Sequence, residues 1–261
     1  MFSVIWRNKE LVLNLVSRDL RNRYAGSMMG VLWNVINPLA MIVIYTVIFS
    51  QIMRAKLPGV NDMYGYSIYL CSGIFSWMAF QEAVIRGTNV FVENANIIKK
   101  ISFPREVLLA FTNISSVVVF GISFVLFMLF VLIVGHPITI TYLFIIPLLL
   151  LQQLFAFALV MGTSVVNVYI KDVSQVVNVV FQFWFWMTPI VYPVTIIPHK
   201  LGVVLRLNPM FYMIEMFHNV VFRGKAPQLS YLLIFSGVTV VFLFIGALVF
   251  RRLGRDIADE L

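Results

Sequence analysis

The sequence predicts an all-α membrane protein built on six transmembrane helices. An amphipathic helix precedes the first span, a short helix lies in an inner loop, and a broken, re-entrant helical segment sits on the outer side before the last span. Composition is the first reason. The 261 residues are 61% hydrophobic, against roughly 45–50% in soluble domains. Only 11% are charged, where about 25% is usual, and the mean hydropathy is +0.94. So few charges cannot cover a soluble protein of this size, which excludes a soluble enzyme or nucleic-acid binder. The second reason is a set of long uncharged runs, and the third is the uneven placement of Lys and Arg.

The first run, Tyr24 to Met53, gives a span over 31–53. The next, Met63 to Gln81, gives a second over 63–86. From Val107 to Ile170 there are 64 residues without Asp, Glu, Lys or Arg, far beyond the ~20 that one crossing needs. Gly135-His136-Pro137 divides that run into 107–134 and 141–169, a helical hairpin with a very short outer loop. The fifth span is 173–193 and the sixth 226–250. Leu201 to Phe222 is also apolar, but it contains Arg206, Glu215 and His218, and Asn208-Pro209 interrupts it. A charge at a helix centre costs about 2.5–3.5 kcal/mol on insertion scales. A pair of short helices buried against protein on the outer side is the cheaper reading.

With six spans and both termini inside, thirteen Lys and Arg fall on inner segments and six on outer ones. That asymmetry satisfies the positive-inside rule and also accounts for the net charge of +8 without a nucleic-acid partner. Trp6, Arg7, Lys9 and Glu10 stand where a cleavable leader needs an unbroken apolar core, so the N-terminus is expected to be mature. Cys71, the single cysteine, has no internal disulfide partner.

Residues 1–24 have Phe2, Ile5, Trp6, Val12, Leu13, Val16 and Leu20 at helical spacing, with basic residues between them. Such a helix suits a headgroup interface, and Arg18, Arg21 and Arg23 are candidates to contact an anionic lipid or lipid-linked phosphate. In the inner loop 87–106 a short helix is expected over Asn89–Ile101, with Phe91, Ala95 and Ile98 near one face. A helix of this kind can dock in a partner's groove, although a solvated loop is the commoner outcome for that pattern.

No catalytic constellation is present. Glu82 and Arg86 are spaced as an ion pair on one helix face. His136, His199 and His218 are read as lacking carboxylates at ligand spacing, and Gly224-Lys225 lacks the upstream glycine of a phosphate-binding loop. No metal site or catalytic residue is therefore expected. Aromatic residues make up 15% of the chain. Phe181, Phe185, Thr188 and Tyr192 share one helical face in the fifth span, Trp184 lies in the same cluster, and Tyr45 and Phe49 pair in the first span. Packing and a wall on which sugar rings stack are both compatible with that pattern.

Arg18-Asp19-Leu20-Arg21, Arg23-Tyr24, Ser27, Gly30, Trp33 and Asn37-Pro38-Leu39 stand in the order found at the start of polysaccharide-exporting ABC transporter permeases. Gly73, Trp77, Lys100, Phe103-Pro104, Tyr169, Asp172, Thr188-Pro189, Tyr192 and Asn208-Pro209 follow in register. Lys171 stands where Arg is common. The chain thus resembles the permease subunits of O-antigen, capsule and teichoic-acid exporters over nearly its whole length.

The resemblance implies two copies of this chain paired with two copies of a separate ABC ATPase, which would bind ATP and Mg. It implies an interface helix over 1–30, a coupling helix in 87–106 and an outer gate segment over 194–225. Phe91, Ile98, Lys99, Lys100 and Arg105 are then candidates for coupling to the ATPase. Tyr45, Phe49, Phe181, Trp184, Phe185, Thr188 and Tyr192 are candidates for the path of a lipid-linked polysaccharide, O-antigen above all. The expected place is the bacterial cytoplasmic (inner) membrane. A permease for a drug or lipid, and a membrane enzyme acting on lipid-linked sugars, are the alternatives. The enzyme would need clustered acids or histidines, which are absent.

Overall fold

A computed structural model describes residues 2–53, 62–100, 104–254 and 257–261. Among them every regular element is helical. The helices are α1 (Phe2–Arg7), α2 (Lys9–Asn22), α3 (Trp33–Tyr45), α4 (Gly65–Glu93), α5 (Ala95–Lys100), α6 (Arg105–Val134), α7 (Ile145–Tyr169), α8 (Asp172–Trp186), α9 (His199–Leu205), α10 (Pro209–Val221), α11 (Leu229–Leu253) and α12 (Ile257–Glu260). Short tighter or wider turns extend α3 at both ends and α7 at its start. Five segments are long and apolar enough to cross a membrane: Gly30–Ile52, Gly65–Glu93, Arg105–Val134, Ile140–Tyr169 and Leu229–Leu253. The chain is a multi-pass membrane protein.

Local chemistry sets the boundaries. α6 starts after Pro104, whose missing N–H costs nothing there, and stops at Gly135 in the left-handed region (φ 78). The His136 N–H closes back onto the Val131 carbonyl at 3.1 Å. α10 starts at Asn208, whose side chain accepts from the Met210 N–H at 2.9 Å, with Pro209 in the first turn.

α4 forms the centre. It packs on α6, α7, α8 and α10, and small residues let those helices approach. A Cβ on Gly87 would come within 2.5 Å of Val160. Buried polar side chains hold the same contacts from within. Ser76 donates to Gln152 (2.8 Å), Gln152 donates to the Ser76 carbonyl (2.6 Å), and Asn167 donates to the Thr88 carbonyl (3.1 Å). In a medium without water these amides have few alternatives.

Several expectations shift. The helix expected over Asn89–Ile101 is shorter, because α4 runs on to Glu93 and only Ala95–Lys100 forms α5. Gly87 serves close packing there and does not break the helix. The single helix expected over 1–24 is two, divided at Asn8, whose side chain donates to the Val4 carbonyl (2.8 Å). Its apolar residues also divide: Val12 and Val16 are buried on the side that packs on α6, while Trp6 and Leu13 are 76% and 60% exposed. The expected fifth span, 173–193, yields only the 15 residues of α8, about 22 Å against a hydrocarbon core of about 30 Å. The 201–222 segment is a broken pair, α9 and α10, with the break at 206–208. Arg54, Lys56 and Phe103, and the side chains of Phe2, Lys100 and His199, lie outside the described residues.

The N-terminal helices and the C-terminus occupy one end of the bundle. Arg86, near the end of α4, pairs with Asp19 of α2, and α12 packs on α5.

Candidate functional site

Among the helices of more than ten residues, α8 is the one whose surroundings are least complete. Phe181 is its one buried residue. Asp172, Gln175, Val179, Gln182 and Trp186 are all exposed and recur at i, i+3, i+7, i+10 and i+14, which puts them on one stripe. Val176, Val180, Phe183 and Met187 form a second exposed stripe, wholly apolar, beside it. Leaving an amide in hydrocarbon without a partner costs roughly 4–8 kcal/mol. The apolar stripe can face lipid. The glutamine stripe needs water or another protein surface.

The opposite side of α8 is packing. Phe181 lies among Trp77, Phe80 and Trp184 at centroid distances of 5.7, 5.3 and 5.4 Å. Trp184 donates to Asn208 (2.6 Å), whose amide in turn donates to the Thr188 hydroxyl (2.8 Å) and the Met187 carbonyl (3.1 Å). Asn208 thus ties the end of α8 to the start of α10 with its side-chain atoms satisfied. Phe181 and Thr188, both expected on a path, are enclosed within the chain at 2% and 0% exposure. Trp184 and Phe185 are half-buried.

Tyr45 and Phe49 are also half-buried, and they open a row of rings that the sequence reading missed. Phe49 stacks on Tyr66 (5.1 Å), and Tyr66 lies 6.3 Å from Tyr69. The Tyr66 hydroxyl donates to the Val191 carbonyl, and Tyr69 donates to that of Tyr192 (3.2 Å). The row therefore fixes the irregular segment after α8 against α4. Tyr192 donates to the Trp186 carbonyl (2.7 Å).

Behind this row α10 carries a buried polar cluster. The His218 ring stacks on Tyr69 at 3.7 Å, and its Nδ1 is 3.6 Å from Glu215. Arg223 donates to Glu215 (2.9 Å) and Asn219 (2.6 Å). A Cβ on Gly73 would meet His218 at 2.7 Å, so that glycine makes room for the imidazole. Burial pulls the His218 pKa below the ordinary imidazole value, against the opposing hydrogen bond and charge of Glu215. The expectation that the histidines lack carboxylate neighbours is corrected here. Glu215 sits one helical turn before His218, a legible spacing, and Asp62 reaches His136 (3.8 Å) across a loop, which is not. Among the described residues no group of three or more His, Cys, Asp or Glu could hold a metal.

At the opposite end Asp19, Arg23, Glu82 and Arg86 form one net-neutral network. Arg23 contacts Asp19 (3.2 Å) and Glu82, and Arg86 contacts Asp19 (3.0 Å) and Glu82 (3.5 Å). Burial alone would raise the Asp19 pKa, but the hydrogen bond and charge of Arg86, with Arg23, hold it below the usual aspartate value. Glu82–Arg86 was legible as a spacing; the link to α2 was not. The network takes up Arg23 and leaves Arg18 and Arg21 exposed. A cleft of about 210 Å³ beside it is lined by Arg18, Asp19, Asn22, Arg86 and Glu93. Of the residues expected to couple to a partner, Phe91 is 0% and Ile98 7% exposed, so both pack inward. Arg105 is half-buried at the start of α6, whereas Asn96 and Lys99 of α5 are exposed.

Comparison with known proteins extends along the whole chain. It is 29% identical over 257 residues to the O-antigen export system permease protein RfbA of Klebsiella pneumoniae, covering 97% of this chain and 95% of that one. The protein of the same name from Myxococcus xanthus is 25% identical, covering 98% and 97%. The polysialic acid transport protein KpsM of Escherichia coli is 23% identical, covering 93% of each. Residues 10–222 match the ABC-2 type transporter family, from the start of α2 to just past the end of α10. The chain therefore belongs to the ABC-2 type transporter family, as a transport subunit and not an enzyme.

Proposed function

We propose that the chain is the membrane subunit of an ATP-driven exporter that moves a lipid-linked polysaccharide, most closely an O-antigen, across the bacterial cytoplasmic membrane. The carrying observation is the end-to-end similarity to O-antigen export permeases, which covers 97–98% of this chain. Two copies pair with two copies of an ATPase that binds ATP and Mg, and the polymer passes between the protomers. The exposed glutamine stripe of α8 supports that arrangement, since a hydrated conduit or a second protomer satisfies amides that lipid cannot. Gln175, Gln182 and Trp186 then contact the polymer, with Tyr45, Phe49, Phe185 and Tyr192 toward the outer end. Phe181, Trp184 and Thr188 act by holding α8 in place.

In this reading α8 and the irregular segment after it complete a sixth crossing, and α9 with α10 form the outer gate. Both termini and α5 face the cytoplasm, because the basic residues concentrate at that end. α5 meets the ATPase through Asn96 and Lys99, while Arg18 and Arg21 face lipid headgroups or the diphosphate of the carrier.

Deleting the chain from its own cell tests the proposal. Polymer synthesis should continue, with lipid-linked polymer accumulating on the inner side and absent from the surface. Unchanged surface polymer would overturn the proposal, as would loss of polymer synthesis altogether, which would mark an enzyme.

A further inference from the structure

Between α7 and α11 lies a groove of about 290 Å³ that opens on the outside of the bundle. Leu159, Gly162 and Val166 form one wall, and Phe242, Ile245 and Val249 the other. Thr163 also lines it, but its hydroxyl is spent on Thr88 (2.8 Å) and the Leu159 carbonyl (3.2 Å). The surface offered is apolar. Two glycines shape it in opposite ways. Gly246 brings α11 against α7, since a Cβ there would lie 2.4 Å from the Ala158 carbonyl. Gly162 deepens the groove, because a Cβ there would meet nothing within 4 Å.

The groove has a charged mouth. Tyr169 donates to the Leu253 carbonyl (2.8 Å), which pins the end of α7 to the end of α11. Lys171 follows the first of these residues, and Arg251 and Arg252 precede the second. All three cations are exposed, and none has an ion-pair partner among the described residues. Arg252 stands one helical turn beyond Val249 and so continues the groove-lining face. From Phe242 to Arg252 the helix rises about 15 Å, half of the roughly 30 Å hydrocarbon core. The groove and its charged mouth together are one leaflet long.

We propose that this groove is a binding site for an anionic phospholipid of the leaflet at that end, with one acyl chain between α7 and α11 and the phosphate on Lys171 and Arg252. An apolar slot in a membrane-spanning surface takes a hydrocarbon chain, and the cations at its mouth select a net negative headgroup over a zwitterionic one. Basic clusters between transmembrane helices recognise anionic headgroups in this way, each cation contributing about fivefold in affinity. Val173, at the start of α8, also lines the groove, and the site does not depend on what is exported.

The test is native mass spectrometry of the assembled complex after exchange into equimolar phosphatidylglycerol and phosphatidylethanolamine. Retained phosphatidylglycerol should exceed phosphatidylethanolamine several-fold. Lys171→Gln with Arg252→Gln should abolish that preference, and Gly162→Leu, which fills the groove, should reduce retained lipid of both kinds. The two charge variants sit at exposed positions, so they decide the question if the glycine variant does not assemble. Equal retention of the two lipids by the wild type would overturn the proposal. So would a preference that survives the charge variants, or a polyisoprenyl phosphate retained in place of phospholipid.

Discussion

α4 and α8 are both apolar helices, yet they sit in opposite surroundings. Twenty of the 29 residues of α4 are buried, against one of the 15 in α8. α4 carries its small residues where neighbours approach and its polar ones where another buried amide or hydroxyl waits. α8 carries glutamines with no hydrogen-bond partner among the described residues. Hydropathy alone treats the two alike, but their burial assigns them different work. α4 holds the chain together, and α8 leaves most of its own surface uncovered.

The largest effect is expected where α4 is tightest. Gly87→Leu drives a side chain into Val160, 2.5 Å from where its Cβ must stand, and the helices cannot separate without breaking the buried hydrogen bonds around Thr88. Membrane-inserted protein should fall several-fold in a fluorescence-based expression assay. Normal levels would show that the α4 contacts are looser than described. Next comes Phe91→Ala, which empties a fully enclosed site and should cost about 3–5 kcal/mol of stability. Lys99→Ala on exposed α5 should instead leave the Tm unchanged while weakening co-purification of the ATPase. An intact, stable Phe91→Ala chain that merely fails to bind the ATPase would reverse these assignments.

The Asp19 network should give a smaller effect. Its side chains are 13–28% exposed, so Asp19→Asn falls between the roughly 0–1 kcal/mol of a surface pair and the roughly 3–5 kcal/mol of a buried one. Hydrogen exchange should rise in α2 and not in α7. A rise in both, or in neither, would deny the network its role in fastening α2.

The smallest effect is pH dependence at the His218 cluster. Glu215, Arg223 and Tyr69 face His218, and the folded protein binds its proton less readily than the unfolded chain does. Stability is therefore complete above the ordinary histidine value of about 6.5 and declines as pH falls through it. Acidification from pH 7.5 to 5.5 should lower the Tm by about 2–4 °C, with His218→Gln showing a smaller fall. Equal falls in both proteins would place the titrating group elsewhere.

Much of the fold was legible because charge-free runs and Gly/Pro breaks are local signals. Val107–Ile170 reads as a hairpin from Gly135-His136-Pro137, and Asn208-Pro209 marks the start of α10. The end of α4 was misplaced because the uncharged run stops before Glu82, whereas the helix carries Glu82 and Arg86 into the α2 network and runs on to Glu93. The site was less legible. Helical spacing places Phe181, Phe185 and Thr188 on one face, but periodicity does not say which face is inward. Here the aromatic face packs and the glutamine face is exposed. Similarly, Asp19 and Arg86 meet across 67 residues, a pairing that no local pattern encodes.

Polysaccharide export per assembled complex tests the central claim about α8. Gln175→Leu with Gln182→Leu should assemble normally and export several-fold less per complex, whereas Phe181→Ala should assemble poorly and export normally per complex. A normal rate in the glutamine variant, together with a reduced rate per complex for Phe181→Ala, would contradict the account and put the path on the buried aromatic face.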